Sequence, residues 1–332
     1  MGEFDLIARY FKRPVRRVAL GVGDDCALLA PTPGTQLAVS SDMLLQGRHF
    51  LPGTDPTRLG HKALAVNLSD LAACGAQPLA FTLALALAQP DEAWLAAFSN
   101  GLLTLADAHG CELMGGDTTA GALAICITVV GEVPLVQGQS QALLRSGAQA
   151  GDDLYVSGTL GDAALALQAL QGRVQLPTQW LTPAQARLEQ PTPRVALGLA
   201  LRGVANAAID VSDGLLGDLQ HLLDASGVGA TVDVDVATSL IAVGACASSA
   251  EGQFDTFFSL AQRRQWALAG GDDYELLFCA APARQAQVQQ AAQASATPVT
   301  RIGRIDAEPG VRLQDAQGQP VPHRYNSFDH FA

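Results

Sequence analysis

The sequence predicts an α/β (α+β) protein of two layered halves, and three observations predict it. Strand-like and helix-like stretches alternate along all 332 residues, and a cluster of small, turn-forming residues, "SGAQAGDD" at 146–153, interrupts them near the middle. Short polar motifs then recur in the same order on either side of that cluster. Mixed elements of this kind bury a sheet face against helices, which argues against a helical bundle or a sheet sandwich. The length suffices for two domains, and 48% hydrophobic residues can fill two cores. The expected division is 1–149 and 150–332.

Taken in order, a short helix is expected at 3–11, followed by strands at 19–23, 26–30 and 36–42. The run at 56–74 reads as a buried helix closed by Gly75 and Pro78, a glycine just past the end and a proline beyond it. A strand at 81–88, a helix at 91–109, a strand at 122–133 and a long loop at 135–142 complete the first half. The second half restarts with a strand at 154–158, then a glycine-rich turn and a helix in "YVSGTLGDAALALQAL". Helices follow near 193–206 and 215–225, with strands at 230–236, 275–280 and 301–306. The alternation in "VDVDVATSL" reads as a strand with a solvated face, since it lacks the glycine and closing glutamate of an EF-hand.

Composition narrows the function. Lys plus Arg is 20 against 32 for Asp plus Glu, a net charge of −12, which disfavours a protein that holds a nucleic-acid backbone. Lysine occurs only at Lys12 and Lys62, and no G-x-x-x-x-G-K-[ST] loop exists. The longest apolar run, 79–88 between Pro78 and Pro90, is far below the roughly 18 to 20 residues of a membrane span. The start "MGEFDLIARYF" carries acids where an export signal needs a basic start and an apolar core, so a cytoplasmic protein is expected. Six cysteines without a C-x-x-C pair read mostly as buried free thiols in a reducing compartment.

The acids carry the chemistry. "NLSDL" at 67–71 is answered by "DVSDG" at 210–214, and "GGDT" at 115–118 by "GGDD" at 270–273, each pair read as a Ser-Asp on a helix or its start followed by a Gly-Gly-Asp turn. Asp25 follows a strand, Asp42 ends another, Asp117 follows two glycines, and Asp210 and Asp213 open a helix. A single Asp at a turn is ordinary capping. Asp70 is different, because a carboxylate inside an apolar helix needs a cation. Lys62 lies eight residues back, about 12 Å along the axis, and is poorly placed to pair. A hard Mg²⁺ ion suits several short acids, whereas six scattered histidines disfavour zinc. Metal-bound carboxylates, glycine-rich turns and almost no lysine add up to phosphate chemistry on a nucleotide.

The segments "GVGDDCALL", "SSDMLLQGRHF", "KALAVNLSDLAACGAQP", "GGDTT", "RSGAQAGD", "AIDVSDGLLGDL" and "GGDDYELLF", with a closing "FDHF", resemble thiamine-monophosphate kinases in order and spacing across essentially the whole chain. The resemblance implies the two-domain fold of the aminoimidazole ribonucleotide synthetase-like superfamily. Its N-terminal mixed-sheet domain binds metal and ATP and dimerises, and its C-terminal layered domain completes the site. It implies direct transfer of the γ-phosphoryl group of ATP to thiamine monophosphate, with several Mg²⁺ ions, in a homodimer. Position by position, Asp25, Asp42, Asp70, Asp117, Asp210 and Asp213 match metal ligands, with Ser40 and Ser41 adding oxygens. Gly116, Asp117, Arg145 and Ser212 match nucleotide contacts, and His49, Asp272 and Phe328 match the substrate pocket. Asp272 stands where the family commonly has Glu, and Phe328 where Tyr or Trp is frequent. Two other readings of the scaffold, an ATP-dependent cyclisation and a non-catalytic metal or nucleotide sensor, differ in what ATP turnover yields.

Overall fold

The computed structural model describes residues 2–245, 251–325 and 327. The chain divides into two compact units, Met1–Ala142 and Leu143–Ala332. The turn cluster at 146–153 therefore lies inside the second unit. The residues just before and within it pack there: Ala208 N donates to Leu144 O at 2.9 Å, and Ala148 N donates to Ser226 Oγ at 3.2 Å.

The first unit runs α1 (Glu3–Tyr10), β1 (Thr35–Leu45), α2 (Pro56–Ala73), β2 (Gln77–Leu87), α3 (Glu92–His109), β3 (Glu112–Ala120), β4 (Ala124–Val136) and β5 (Gln139–Ser140). Its sheet has the order β1-β4-β2-β3, with β5 folding back on β4. β1 and β2 run antiparallel to β4, and β3 joins β2 in parallel. α2 starts where Asp55 accepts from Arg58 N and Pro56 occupies the first turn. It is buried nearly all round, Leu59, Leu64, Leu68 and Leu71 included. Gly60 and Gly101 set its approach to α3. A Cβ on Gly101 would meet Thr57 O at 1.8 Å, and one on Gly60 would meet Phe98 O at 2.1 Å.

Four expectations for this unit change. Residues 19–23 and 26–30 form only the isolated bridges Leu20↔Leu28 and Val22↔Asp24. Gly21 and Gly23, the latter at φ +127°, weaken a ladder there. The segment is pinned instead by carboxylates, with Val18 N on Glu112 at 3.1 Å and Thr32 N on Glu132 at 2.6 Å. Asp42 lies inside β1, and "GGDT" runs within β3 as strand, where Gly116 comes so near Leu83 O that an added Cβ would sit 1.8 Å away. The expected loop at 135–142 contains the β4–β5 hairpin.

The second unit runs β6 (Asp153–Ser157), α4 (Asp162–Leu170), α5 (Thr178–Glu189), α6 (Val195–Ala200), β7 (Ala207–Val211), α7 (Leu215–Ser226), β8 (Gly229–Asp233) and α8 (Val234–Thr238). It continues with α9 (Ala242–Ala245), α10 (Glu251–Phe257), α11 (Leu260–Ala269), β9 (Glu275–Ala280), α12 (Gln285–Ala294), β10 (Val299–Asp306) and β11 (Gly310–Gln314). The sheet order is β11-β8-β10-β6-β9-β7. Leu219, Leu222 and Leu223 of α7 share one core with Leu277 and Cys279 of β9. The expected strand at 230–236 ends at Asp233 because Val234 and Ala237 bury at helical spacing, a pattern that short apolar runs leave ambiguous. Asp210 sits on β7 and Asp213 in the following loop, so neither opens α7.

Among the described residues, no helix is long and apolar enough to cross a membrane. The described cysteines are free, but only Cys111 and Cys279 are buried; Cys26 is exposed and Cys246 lies outside the described residues. Burial pushes the Cys111 and Cys279 thiols up to about 12, which leaves both protonated and inert at neutral pH.

Candidate active site

In the first unit the pleat of β1 places Ser40, Asp42 and Leu44 on one face and Ser41 on the other. Ser40 Oγ donates to Asp70 Oδ2 across to α2. One turn earlier on α2, Asn67 Oδ1 accepts from Asp42 N at 3.1 Å while its Nδ2 donates to Ala63 O at 3.0 Å. Asn67 is fully buried and uses both ends of its amide, so it locks β1 against the helix that carries Asp70. Ser40, Asp42 and Asp70 are thereby brought together. They offer only carboxylate and hydroxyl oxygens, the donor set that suits a hard divalent cation such as Mg²⁺.

The other first-unit candidates lie apart from this group. Ser41 Oγ is on the opposite face, 2.9 Å from Thr128 Oγ1 and 3.2 Å from Ile127 O. Asp117 is on β3, the far edge of the sheet. Three strand spacings separate it from β1, about 14 Å, too far for Asp42 and Asp117 of one unit to bind the same ion. Asp25 is exposed, and its N–H turns back to Asp24 Oδ1 at 2.9 Å. His49 Nδ1 accepts from Leu45 N at 3.0 Å, which makes the neutral ring the Nε2–H tautomer, and His49 O accepts from Lys62 Nζ at 3.2 Å.

In the second unit the loop after β7 is built by one carboxylate. Asp218 Oδ2 accepts from Ser212 N at 3.0 Å, Asp213 N at 3.1 Å and Gly214 N at 3.2 Å. Burial, and then the charge of Asp213, push the Asp218 carboxyl up to about 7 against the pull of those three amides. The Gly-Gly-Asp turn docks on the same loop: Asp272 N donates to Ser212 O and Tyr274 N to Val211 O, both at 2.8 Å. Asp210, Ser212, Asp213 and Asp272 are thus neighbours within this unit. Arg145 is not among them. Its carbonyl accepts from Ser226 Oγ at 3.0 Å, at the far end of α7, and twelve helical residues span about 18 Å.

Phe328 lies outside the described residues; its neighbour Ser327 accepts from Gly217 N at 2.9 Å. Among the described residues, no three His, Cys, Asp or Glu side chains converge as a ready metal shell. Asp218 carries no capping signal in the sequence, since it stands one position past the capping-box place relative to Gly214, and its role shows only in the three amides it gathers. Sequence reasoning missed it, and also Arg187, Arg194 and Glu275, whose contacts join residues 81 and 88 apart. No local pattern marks such a group.

Both halves of the chain match one family of known proteins. Residues 23–133 match the family described as AIR synthase related protein, N-terminal domain, and residues 149–316 its C-terminal domain. The thiamine-monophosphate kinase of Salmonella typhimurium LT2 is 44% identical over 338 residues, covering 100% of this chain and 98% of its own. The crystal structure of thiamine-monophosphate kinase from Stenotrophomonas maltophilia K279a has 44% identity and a TM-score of 0.80, covering 96% of each chain. A solved structure of AaThiL complexed with AMPPCP and TMP has 27% identity and a TM-score of 0.75, covering 91% of this chain and 89% of its own.

Proposed function

The chain belongs to the thiamine-monophosphate kinase family and phosphorylates thiamine monophosphate with ATP; from that premise we propose that transfer is direct, in-line and Mg²⁺-dependent. The observation that carries the proposal is the Ser40–Asp42–Asp70 group, an all-oxygen donor set fixed by Asn67. Asp42 and Asp70 would hold ions on the first unit, and Asp210 and Asp213 on the second, with Asp25 and Asp117 as further ligands. Bound Mg²⁺ supplies charge neutralisation to the phosphates.

An oxygen of the acceptor phosphate attacks the γ-phosphorus, the bond to the β–γ bridging oxygen breaks, and ADP leaves with that electron pair. The attacking oxygen is already anionic, so no strong general base is required of the protein. Positioning is what remains. Ser40 and Asn67 aim Asp70 and Asp42, and Asp218 shapes the Ser212–Asp213 backbone. Gly116 and Arg145 meet the nucleotide, while His49, Asp272 and Phe328 meet the thiamine side. We assign the protein to the cytoplasm as a homodimer. Leu37, Val39, Met43 and Leu45 form an exposed apolar row along one face of β1, with Val39 63% and Met43 56% exposed, and a second copy would cover it.

The deciding experiment incubates the protein with ATP, Mg²⁺ and thiamine monophosphate. Thiamine diphosphate and ADP are expected in equal amounts, and activity should vanish on chelation and return with added Mg²⁺. Inorganic phosphate without thiamine diphosphate would overturn the kinase assignment. Undiminished turnover in chelator would overturn the metal.

A further inference from the structure

The turn at 270–274 holds two non-glycine residues in the left-handed region, Asp272 at φ +68° and Tyr274 at φ +52°. Such a backbone is strained for a residue with a Cβ and persists only where its surroundings over-determine it. Here they do. Upstream, Gly270 and Gly271 pass so close to Trp266 O and Ser212 O that an added Cβ would lie 2.3 and 2.6 Å away. Downstream, the Asp273 carboxylate accepts from Gly161 N at 2.9 and 3.0 Å.

The next residue, Glu275, is fully buried and carries a dense set of donors. Arg194 donates Nε to its Oε2 at 2.6 Å and Nη2 to its Oε1 at 2.5 Å, and Ser157 Oγ donates at 2.6 Å. Arg187 Nη2 bonds Glu275 Oε1 at 2.8 Å and also the Asp273 carbonyl at 2.9 Å. Arg187 therefore holds the strained backbone and its side-chain anchor with a single nitrogen. A buried ionic group is a poor device for stability alone. Arg187 Nε adds to the expense, being buried with no hydrogen-bond partner among the described residues. A network that tolerates both costs while clamping a strained turn is built to orient.

We infer that Arg187 is a positioning residue of the kinase reaction: by bridging the Asp273 carbonyl and the Glu275 carboxylate it locks Asp272 in its left-handed conformation and presents that carboxylate to thiamine monophosphate. The inference rests on the reading of Asp272 as a substrate contact. Arg194, whose side chain hydrogen-bonds only Glu275 among the described residues, serves as the internal control.

The test is steady-state kinetics on the full chain with Arg187→Lys, Arg194→Lys, Asp272→Asn and the double variant Arg187→Lys/Asp272→Asn, with an unfolding midpoint for each. Lysine keeps the charge but ends one bond short of Nη2, the single nitrogen that meets both acceptors. Arg187→Lys should raise KM for thiamine monophosphate about tenfold, as loss of a charge-assisted bond does, and leave KM for ATP within about twofold. Arg194→Lys should lower the midpoint at least as much and leave both KM values unchanged. The double variant should be no worse than Asp272→Asn alone. If Arg187→Lys does not fold, Arg187→Met, which leaves Glu275 on its Arg194 and Ser157 bonds, takes its place. An inert Asp272→Asn would remove the substrate reading. A raised KM in Asp272→Asn with no effect at Arg187, or effects that multiply in the double variant, would overturn the positioning role.

Discussion

The two Ser-Asp motifs place the same residue types on opposite kinds of backbone. Asp70 projects from the interior of α2, where eighteen helical residues and the Gly60–Gly101 crossing fix its origin, and its nearest helper is one hydroxyl from Ser40. Asp213 stands in a loop with no regular backbone bonding of its own, and the Asp218 carboxylate holds three successive amides to give that loop a shape. A helix aims a side chain through its own ladder. A loop has to be aimed by something else, and the aiming group then becomes as vulnerable as the ligand.

That contrast can be broken in graded steps. Asp70→Asn should cut kcat by about a thousandfold, the upper range for removing one preorganised electrostatic group, while the unfolding midpoint holds or rises because a partly buried anion is gone. Near-normal turnover at saturating Mg²⁺ would take Asp70 out of the metal site. Asp218→Ala should lower kcat by about a hundredfold although Asp218 is not among the proposed ligands, since three amides lose their common acceptor. Ser40→Ala should cost only about tenfold, because α2 still aims Asp70. If Ser40→Ala proved more damaging than Asp218→Ala, the distinction between helix-aimed and loop-aimed acids would fail.

Much of this was readable in the sequence, and the misses have physical causes. The α2 and α3 helices and β9 emerge within about a residue of expectation, since long apolar runs with Asp55, Asp91, Gly75 and Gly110 at their ends leave little choice. Asp70 stands out in the sequence as a carboxylate inside an apolar helix, whereas the tie that Asn67 makes from α2 to Asp42 N of β1 shows only in the fold. The two Gly-Gly-Asp segments look alike on paper but fold differently. The first lies beside β2 and becomes strand, while the second follows α11 and docks on β7, choices made by tertiary neighbours that no local pattern encodes. Asp117 at the far sheet edge and Arg145 at the far end of α7 are separations only topology reveals. The Arg187–Glu275–Arg194 group is invisible for the same reason.

The smallest effect separates the units by pH. In the first unit, burial raises the Glu132 carboxyl, but the Thr32 amide and hydroxyl and the Arg17 guanidinium outweigh it and hold the group below its usual range. Its contribution is present above the unfolded glutamate value of about 4.3 and is lost as pH falls through the lower folded value. In the second unit the sign reverses. Burial raises Asp162 despite its bonds from Val243 N at 3.0 Å and Ala242 N at 3.1 Å, and it raises Asp273 well above the usual range. The folded state then binds more protons than the unfolded one, so this contribution is full below about pH 4 and is lost as pH rises through the folded values. Hydrogen exchange, corrected for its intrinsic pH dependence, should therefore show β9 better protected at pH 5 than at pH 8, with β4 following the opposite trend on going to lower pH. Asp162→Asn should lower protection in β9 at both pH values, because an amide oxygen can serve only one side of the 242–243 pair. It should also shrink the difference between them, since the group no longer titrates. A difference of undiminished size in that variant would move the second unit's pH dependence from Asp162 to Asp273 and Asp218, the other buried acids whose carboxyls burial raises.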